Sequence, residues 1–326
     1  MKNSIKRAQS ESGLSALSNV RILREAKKYF AMAAAALALV ACDKNNDDLG
    51  IDNTKDTPIT VSAAVEGMLT RAGHDTENLP ATFYLTMIQD TEDATSLYNY
   101  TNVEMTKDEG ATTYSAPEGT TLLWKDGNHE AVAFNAYTTD GTTFTVQTNQ
   151  STAANVHASD LLGAVKTDND ETTDIDILGN GIYVDFRHLL CKLDVTYSWG
   201  TEFASTTNSI TEVKYVGFGS DVTLDRSTAT ITNGTGTTEI SALVTEQTSE
   251  AIFAPQSATP KIVITAMIDN VERIFSINVT APTDGFVSGN RYTMNVTIGG
   301  TATETGGISI AEGWSDSITG DDMQTK

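Results

Sequence analysis

The sequence predicts an all-β protein built of β-sandwiches, and three observations support this class. Thr, Val and Ile are abundant, and these residue types pack well on a pleated strand surface. Short segments with an apolar residue at every second position recur along the chain, separated by turn dipeptides such as Asn-Gly and Asp-Gly. No long segment has the 3.6-residue period of an amphipathic helix. Strands that alternate in this way bury one face and expose the other, as in packed antiparallel sheets.

The first element is a short apolar segment, Phe30 to Ala41, which follows Lys27 and Lys28. It has 12 residues, too few for a membrane span, which needs about 20. A basic leader followed by such a segment predicts a signal peptide. The residues Leu-Val-Ala-Cys at its end resemble the lipobox of bacterial lipoproteins. This resemblance implies that residues 1–42 are a lipoprotein signal peptide and that Cys42 is the acylated first residue of the mature protein.

The composition of the mature chain excludes some partners and bounds the fold. After Cys42 the chain has 284 residues, with 14 basic and 41 acidic side chains and a net charge of about −27. Such a charge repels nucleic acid and anionic lipid, so membrane attachment is expected through the lipid on Cys42. Cys191 is the only cysteine left, which rules out a disulfide within the chain. Hydrophobic cores must therefore stabilise the fold, and the length favours two domains.

The mature chain begins with a polar tether, residues 43–57, followed by the first predicted strand. This strand carries apolar side chains at alternate positions: Ile59, Val61, Ala63, Val65 and Leu69. An acidic, Gly-containing connection follows at residues 166–181. We place a boundary near Asn180 and predict an N-terminal domain over 58–180 and a C-terminal domain over 181–326.

Two hairpins, one further strand and one helix are predicted within these domains. The first hairpin joins residues 132–136 to residues 144–146 through a turn at Asp140 and Gly141. The second joins residues 262–268 to residues 271–279 through Asp269 and Asn270. Residues 292–298 alternate as another strand, and residues 158–165 predict a short helix.

Several segments resemble the fimbrillin family of Bacteroidetes, the subunits of type V pili. They are Asp-Leu-Leu-Gly-Ala at 160–164, Phe-Arg-His-Leu-Leu-Cys-Lys-Leu-Asp-Val at 186–195, Gly-Asn-Arg-Tyr-Thr-Met-Asn-Val at 289–296 and Ile-Ser-Ile at 308–310, before Trp314. The pattern Phe-x-His-Leu-x-x-Lys-Leu is the most specific of them, and in the family it opens the second domain. The resemblance implies two tandem transthyretin-like β-sandwich domains after a lipoprotein signal peptide.

The same resemblance implies a function as a structural fimbrial subunit that supports adhesion. Its implied partners are other fimbrial subunits, the outer membrane through the lipid, an Arg-specific processing protease, and a receptor on a host or bacterial surface. The implied location is the outer membrane, the cell surface and the fimbrium.

Assembly in this family follows removal of the first strand by the protease. Here Arg71 and Ala72 are the candidate processing site, since they follow the strand with Ile59, Val61, Ala63, Val65 and Leu69. Cleavage after Arg71 is expected to open an apolar groove, which a strand of the next subunit fills by β-augmentation. Ile308 and Ile310, near the C-terminus, are the candidate donor residues.

Patterns typical of catalysis or metal binding are absent from the sequence, so no enzyme activity, cofactor or metal is predicted. His188 and Cys191 are three positions apart, which places them on opposite faces of a single strand. His74, His129 and His157 lack the spacing of metal ligands. The acidic residues between Asp168 and Asp176 lack the glycine of an EF-hand loop, so a solvated charge run is the interpretation.

Two alternative functions remain open at this point. A monomeric surface lipoprotein of a nutrient uptake system could bind glycans through exposed aromatic side chains. The candidates are Trp124, Trp199, Trp314 and the ten tyrosines. A secreted hydrolase is the other alternative, and it requires convergent polar groups in a pocket.

Overall fold

The computed structural model describes residues 56–65, 74, 78–125, 130–136, 142–166, 174–178, 181–234, 236–299 and 303–310. Over these residues the fold is almost entirely β, as predicted. The described part contains one α-helix, α1 (Ala153–Ser159), and one 3₁₀ helix (Thr201–Phe203). Within these ranges no helix is long and apolar enough to span a bilayer.

The first ten strands extend from the start of the described chain to Trp199. They are β1 (Thr60–Val65), β2 (Thr82–Ile88), β3 (Tyr100–Lys107), β4 (Thr113–Ser115), β5 (Glu130–Phe134), β6 (Thr143–Thr145), β7 (Leu162–Lys166), β8 (Ile175–Leu178), β9 (Gly181–His188) and β10 (Cys191–Trp199).

The remaining strands follow the 3₁₀ helix. They are β11 (Asn208–Gly219), β12 (Asp221–Asp225), β13 (Thr230–Asn233), β14 (Thr237–Ser241), β15 (Leu243–Thr245), β16 (Thr248–Phe253), β17 (Lys261–Ile268), β18 (Val271–Asn278), β19 (Arg291–Ile298) and β20 (Thr303–Ile310).

The strands form four sheets. An eight-stranded sheet has the order β1-β4-β3-β2-β5-β7-β9-β8, and β1 also pairs with β9, so that its pairing closes on itself. Later strands form a five-stranded sheet, β15-β16-β10-β19-β20, and a four-stranded sheet, β14-β11-β17-β18. A small sheet, β13-β12-β6, connects the two parts of the chain, because β6 comes from the earlier part.

Two hydrophobic cores match this arrangement. The eight-stranded sheet surrounds one core, which includes Phe83, Leu85, Trp124 and Phe186. The five- and four-stranded sheets enclose the other. The alternation of apolar residues on their strands accounts for this core: β10 contributes Leu193, Val195 and Tyr197, and β11, β16, β17 and β19 contribute Val213, Tyr215, Phe253, Ile262, Ile264, Met294 and Val296.

The second predicted hairpin is confirmed, and its turn explains why. β17 and β18 pair antiparallel from Lys261 opposite Asn278 to Ile268 opposite Val271. Asp269 and Asn270 connect them with φ angles of 49° and 63°. Asp and Asn tolerate this left-handed conformation better than most residues, and it gives the turn the twist that a two-residue hairpin loop needs. The strand predicted at residues 292–298 is also present, as β19.

The first predicted hairpin is wrong. β5 lies between β2 and β7 in the eight-stranded sheet, so neither of its edges is free for β6. β6 instead pairs with β12 in the small sheet, with Phe144 opposite Val222. Alternation had located both strands, but the partner of β6 is distant in sequence.

The predicted helix at residues 158–165 is displaced. α1 begins after Thr152, whose hydroxyl accepts a hydrogen bond from the Asn155 N–H at 3.3 Å, and it ends at Ser159. Residues from Leu162 onward form β7, which pairs with β5 and β9. Sheet pairing and burial of Leu162 and Ala164 outweigh their intrinsic preference for a helix.

The boundary predicted near Asn180 comes one strand too early for the observed pairing. β9 starts at Gly181 and pairs with β1, β7 and β8, so it belongs to the first sheet. The change of sheet falls between His188, the end of β9, and Cys191, the start of β10. The division of the chain into two domains remains a prediction.

Candidate functional site

The candidate site is the place that β1 occupies in the eight-stranded sheet. Along one edge β1 pairs in parallel with β9, from Thr60 opposite Gly181 to Val65 opposite Phe186. Along the other edge it pairs antiparallel with β4, where Val61 lies opposite Tyr114. β1 is therefore the strand that connects β4 to β9 and closes the pairing of the sheet.

The residues before β1 continue its attachment to the sheet. Ile59 N–H donates to the Leu122 carbonyl at 2.9 Å, and Trp124 N–H donates to the Thr57 carbonyl at 3.0 Å. Asp56 N–H donates to the Trp124 carbonyl at 2.9 Å. The main chain from Asp56 to Val65 is thus hydrogen-bonded along its length.

The side chains predicted to anchor this strand face the core. Val61, Ala63 and Val65 are at most 2% exposed, and Ile59 is partly buried against the same core. The apolar side chains at these four positions are thus buried or partly buried, and Ser62 between them is buried as well. Leu69, the fifth member of the predicted set, lies outside the described residues.

Aromatic rings line the core that β1 faces. The Phe83 ring meets the rings of Tyr114 and Phe186 edge to face, with centroids 4.8 and 5.2 Å away. The Tyr114 hydroxyl donates to the Pro80 carbonyl at 2.7 Å. Rings held in this way pack at fixed angles. These three rings form the aromatic floor beneath β1, and their packing gives it a defined shape.

Several predicted site residues lie outside the described part of the chain, namely Cys42, Arg71 and Ala72. His74, which follows Ala72 closely in sequence, is described and nearly buried. Its main-chain N–H donates to Asp160 Oδ2 at 2.7 Å. Its ring Nδ1 donates to the Asn78 carbonyl at 2.9 Å, and the ring lies 5.0 Å from that of His157.

The Asp160 carboxylate joins His74 to a second histidine. His188 Nδ1 donates to Asp160 Oδ1 at 2.9 Å, and both side chains are buried. Burial by itself raises the pKa of Asp160, but the interactions with His188 and His74 outweigh it and leave the pKa below its usual value. Burial lowers the pKa of His188 despite the attraction of Asp160. A neutral His188 imidazole that donates to an ionised Asp160 carboxylate agrees with the lowered pKa of both groups.

The candidate donor residues lie in β20, at the edge of the five-stranded sheet. The backbone places Ile308 opposite Met294 and Ile310 opposite Tyr292. Pairing in the described part of β20 involves β19 alone, so one ladder attaches this strand to its own chain.

Cys191 and His188, the two residues considered above as a catalytic pair, are both buried and hydrogen-bonded. Burial raises the pKa of the Cys191 thiol well above its usual value, and Sγ donates to the Val287 carbonyl at 3.0 Å. His188 and Cys191 lie on successive strands rather than on one. Among the described residues no cluster of His, Cys, Asp and Glu is suited to a metal ion.

The aromatic platforms proposed for glycan binding are not all exposed. Trp124 is fully buried, so it cannot stack on a sugar ring. Trp199 is partly buried and packs against Phe203, with ring centroids 6.2 Å apart. Trp314 lies outside the described residues.

In the acidic run, Asp174 forms an ion pair with Arg187 at 2.9 Å.

The sequence interpretation missed a buried charge cluster on β10. Lys192 is fully buried and its Nζ lies 2.6 Å from Glu250 Oε2. Arg291 Nε donates to Asp194 Oδ2 at 2.6 Å. In the sequence, Lys192 and Asp194 alternate with apolar residues. Such alternation usually indicates a strand with its charged face in solvent, so it did not predict that these charges are buried.

Comparisons with known proteins agree with this fold. The solved structure of a proposed cell adhesion protein from Bacteroides uniformis superposes on this chain with a TM-score of 0.58 at 20% identity. The match covers 80% of this chain and 99% of the other. A similar proposed adhesion protein from Bacteroides ovatus gives 0.57 at 18% identity, over 79% and 97%. The tip fimbrial protein Mfa3 from Porphyromonas gingivalis gives 0.47 at 8% identity, over 78% and 100%. At these identities the two Bacteroides structures support the fold.

Among curated proteins, none matches the chain. The sequence profile of the fimbrillin-like family, by contrast, matches residues 70–314. This range includes all the described strands from β2 to β20 and the segments around Asp160 and His188. The chain therefore belongs to the fimbrillin-like family.

Proposed function

We propose that this chain is a structural subunit of a fimbria, assembled by protease-triggered exchange of its first strand, and that it supports adhesion. Membership of the fimbrillin-like family supports the role of a fimbrial subunit. The observation that carries the exchange mechanism is the position of β1, which connects β4 to β9 and buries Val61, Ala63 and Val65.

Removal of β1 is expected to create an acceptor site. The main-chain groups of β4 and β9 that now pair with β1 would lose their partners, and the aromatic floor around Phe83 would be exposed. An open edge next to an apolar groove binds an added strand by main-chain hydrogen bonds and side-chain burial. Burial of each valine contributes about 1.5–3 kcal/mol, before the costs of association.

While β1 is in place, the same site is occupied within the chain. The precursor is then protected against pairing with other subunits during export. In this proposal the signal peptide 1–42 directs export, Cys42 carries the lipid that attaches the precursor to the outer membrane, and an Arg-specific protease cuts between Arg71 and Ala72. The final location is the fimbrium at the cell surface.

The donor strand in this proposal is the C-terminal segment with Ile308 and Ile310. Its pairing with β19 alone means that detachment breaks a single ladder. The two isoleucines alternate with Ser309 and can replace two of the three valine and alanine side chains that β1 buries. Other fimbrial subunits are the partners, and adhesion requires a receptor on a host or bacterial surface.

The test is digestion of the purified mature protein with an Arg-specific protease. We expect a new N-terminus at Ala72 and a ladder of oligomers on an unboiled denaturing gel. Arg71→Ala should abolish both results. Arg273→Ala, which removes an arginine from the edge strand β18, is the matched control and should leave both unchanged. A clipped protein that stays monomeric would contradict strand exchange.

The donor assignment has its own test. Ile308→Asp with Ile310→Asp should allow cleavage after Arg71 but prevent oligomers, because the added carboxylates cannot enter an apolar groove. Ser309→Asp, which adds a carboxylate between the two isoleucines in sequence, is the control and should still polymerise. Equal ladders from both variants would show that another segment is the donor.

A further inference from the structure

Asp160 is a junction between three separate parts of the chain. Its Oδ2 accepts the main-chain N–H of His74 at 2.7 Å, and its Oδ1 accepts Nδ1–H of His188 at 2.9 Å. Its own carbonyl accepts Asn135 Nδ2–H at 2.6 Å. The Asp160 side chain is fully buried. A buried carboxylate with these donors is fixed in position.

The hydrogen bond to His74 is a contact with the main chain, so it holds the backbone at this residue whatever its side chain does. Two further contacts fix the ring, with the Asn78 carbonyl and with His157. From Asn78 the chain continues directly into β2, which begins at Thr82. The contact at Asp160 therefore ties the chain ahead of β2 to α1 and β9.

The position of His74 in the sequence determines what the contact with Asp160 would hold after cleavage. His74 lies after Arg71 and Ala72, the proposed cleavage site, whereas β1 ends before it at Val65. Cutting after Arg71 would release β1 but would leave His74 on the retained side of the cut, close to the new N-terminus.

We propose that Asp160, oriented by His188, is a clamp that holds the new N-terminal segment on the subunit after β1 has left. This inference rests on the proposed function. The clamp confines the loss of structure to β1 and leaves β2 paired on both edges with β3 and β5. Without it, the free end could peel away from residue 74 toward β2 and distort the floor that includes Phe83. Asp160 and His188 are thus positioning residues for strand exchange.

The experiment separates the clamp from the natural processing event. Residues 68–72 are replaced by the recognition sequence of a sequence-specific endopeptidase, so that clipping does not depend on Arg71. Hydrogen exchange of amides from His74 to Ala81 is then measured by mass spectrometry in the clipped protein, with Asp160 unchanged or as Asp160→Asn. The two donors use separate oxygens of Asp160. An asparagine side chain replaces one of these oxygens with a donating amide nitrogen, so it cannot accept both bonds in this geometry, and it has no charge to strengthen either one.

We expect clipped protein with Asp160 to keep protection at His74, and Asp160→Asn to lose it by about tenfold or more, as for loss of a charge-assisted hydrogen bond. Asp174→Asn is the matched control, because Asp174 pairs with Arg187 on β9 but does not contact His74. It should keep the protection. Equal protection in Asp160→Asn and the unchanged protein would overturn the proposal.

A second pair of variants covers a failure of Asp160→Asn to fold. In His188→Asn the side-chain Nδ2–H can replace the Nδ1–H donor, whereas His188→Leu has no donor. We expect protection at His74 to survive in the first and to fall in the second, and equal behaviour of the two would contradict the role of His188.

The same clipped samples, run on unboiled gels, test the proposed function separately. If protection depends on Asp160 but no oligomers form, the clamp is present and strand exchange is wrong. Oligomers with protection that does not depend on Asp160 would leave strand exchange standing and remove the clamp.

Discussion

Val61 and Ile182 lie opposite each other in the parallel register of β1 and β9, and both side chains are at most 2% exposed. Parallel neighbours are distant in sequence, so this pairing cannot be read from local turns. In the proposed exchange, Ile182 stays in the subunit when β1 is removed. The pair would then mark the boundary between the strand that leaves and the site that receives its replacement.

The first prediction concerns the contribution of β1 to the precursor. Val61→Ala and Val65→Ala should each lower the free energy of unfolding by about 1–3 kcal/mol, because each removes two buried methyl groups and leaves a cavity. Urea unfolding of the unclipped protein measures this. Thr101→Ala, at an exposed position of β3 in the same sheet, is the control and should change stability by less than about 0.5 kcal/mol. Equal effects at all three positions would show that β1 contributes little to the precursor.

Comparison of β18 with β6 shows which part of the fold could be predicted from the sequence. The β17–β18 hairpin was predictable because both strands alternate and the turn between them is local. The partner of β6 was not, because β12 is remote and β5 is enclosed by β2 and β7. The predicted boundary near Asn180 falls before β9 for a related reason: only the pairing of β9 with β1 shows that β9 belongs to the first sheet.

The candidate site likewise has one part that could be predicted from the sequence and one part that could not. Alternation identified Val61, Ala63 and Val65 as buried side chains of one strand. The clamp at Asp160 and the charge cluster at Lys192 depend on side chains from distant segments. Asp160 and His188 each belonged to a segment that resembled the family, but nothing in the sequence indicated that the two segments meet at His74.

A second prediction concerns pH. The folded-state pKa of His188 is lowered, so its neutral form stabilises the fold fully above about pH 6.5, the usual value in an unfolded chain. As pH falls below this value, the unfolded state takes up a proton that the folded state refuses. Stability should then fall, with a slope from this group of up to about 1.4 kcal/mol per pH unit.

Urea unfolding between pH 8 and pH 5 checks this slope. Asp160, His74 and Lys192 are the charged or titratable groups that act on His188. They are unchanged in His188→Asn, which keeps a donor for Asp160 but does not titrate. The slope should be smaller in His188→Asn by the contribution of one histidine. Parallel curves for the two proteins would mean that His188 does not cause the acid sensitivity.

A third prediction concerns the lipid anchor. Cys42→Ser should abolish incorporation of labelled palmitate in cells and release the precursor from the outer-membrane fraction, because serine cannot accept the thioether-linked lipid of a lipoprotein. Cys191→Ser is the matched control, since Cys191 is the other cysteine of the chain and is buried. It should still be labelled. Labelling that persists in Cys42→Ser would contradict the assignment of the lipobox.

A fourth prediction concerns the turn of the β17–β18 hairpin. Asn270 has a φ of 63°, and glycine adopts this conformation without steric cost. Asn270→Gly should leave stability unchanged or raise it by up to about 1 kcal/mol, whereas Asn270→Val should lower it by about 1–2 kcal/mol. Thermal unfolding of both variants measures the difference, and equal melting temperatures would be inconsistent with a left-handed residue at this position.

The last prediction concerns the buried pair of Lys192 and Glu250. Both side chains are at most 4% exposed and their charged atoms are 2.6 Å apart. Lys192→Met should cost about 3–5 kcal/mol, because it leaves the Glu250 carboxylate buried without its cation. Adding Glu250→Gln should recover part of this loss, since a neutral amide has a smaller desolvation cost.

An exposed ion pair supplies the control for this cycle. Lys214 Nζ lies 2.9 Å from Glu239 Oε1, but the two side chains are 34% and 51% exposed. Solvent screens such a pair, so Lys214→Met should cost less than about 1 kcal/mol. Chemical unfolding of the single and double variants gives the coupling energy at Lys192. If both lysine substitutions cost the same, the Lys192 charge is not buried in solution, and the face of β10 that carries it is open to solvent.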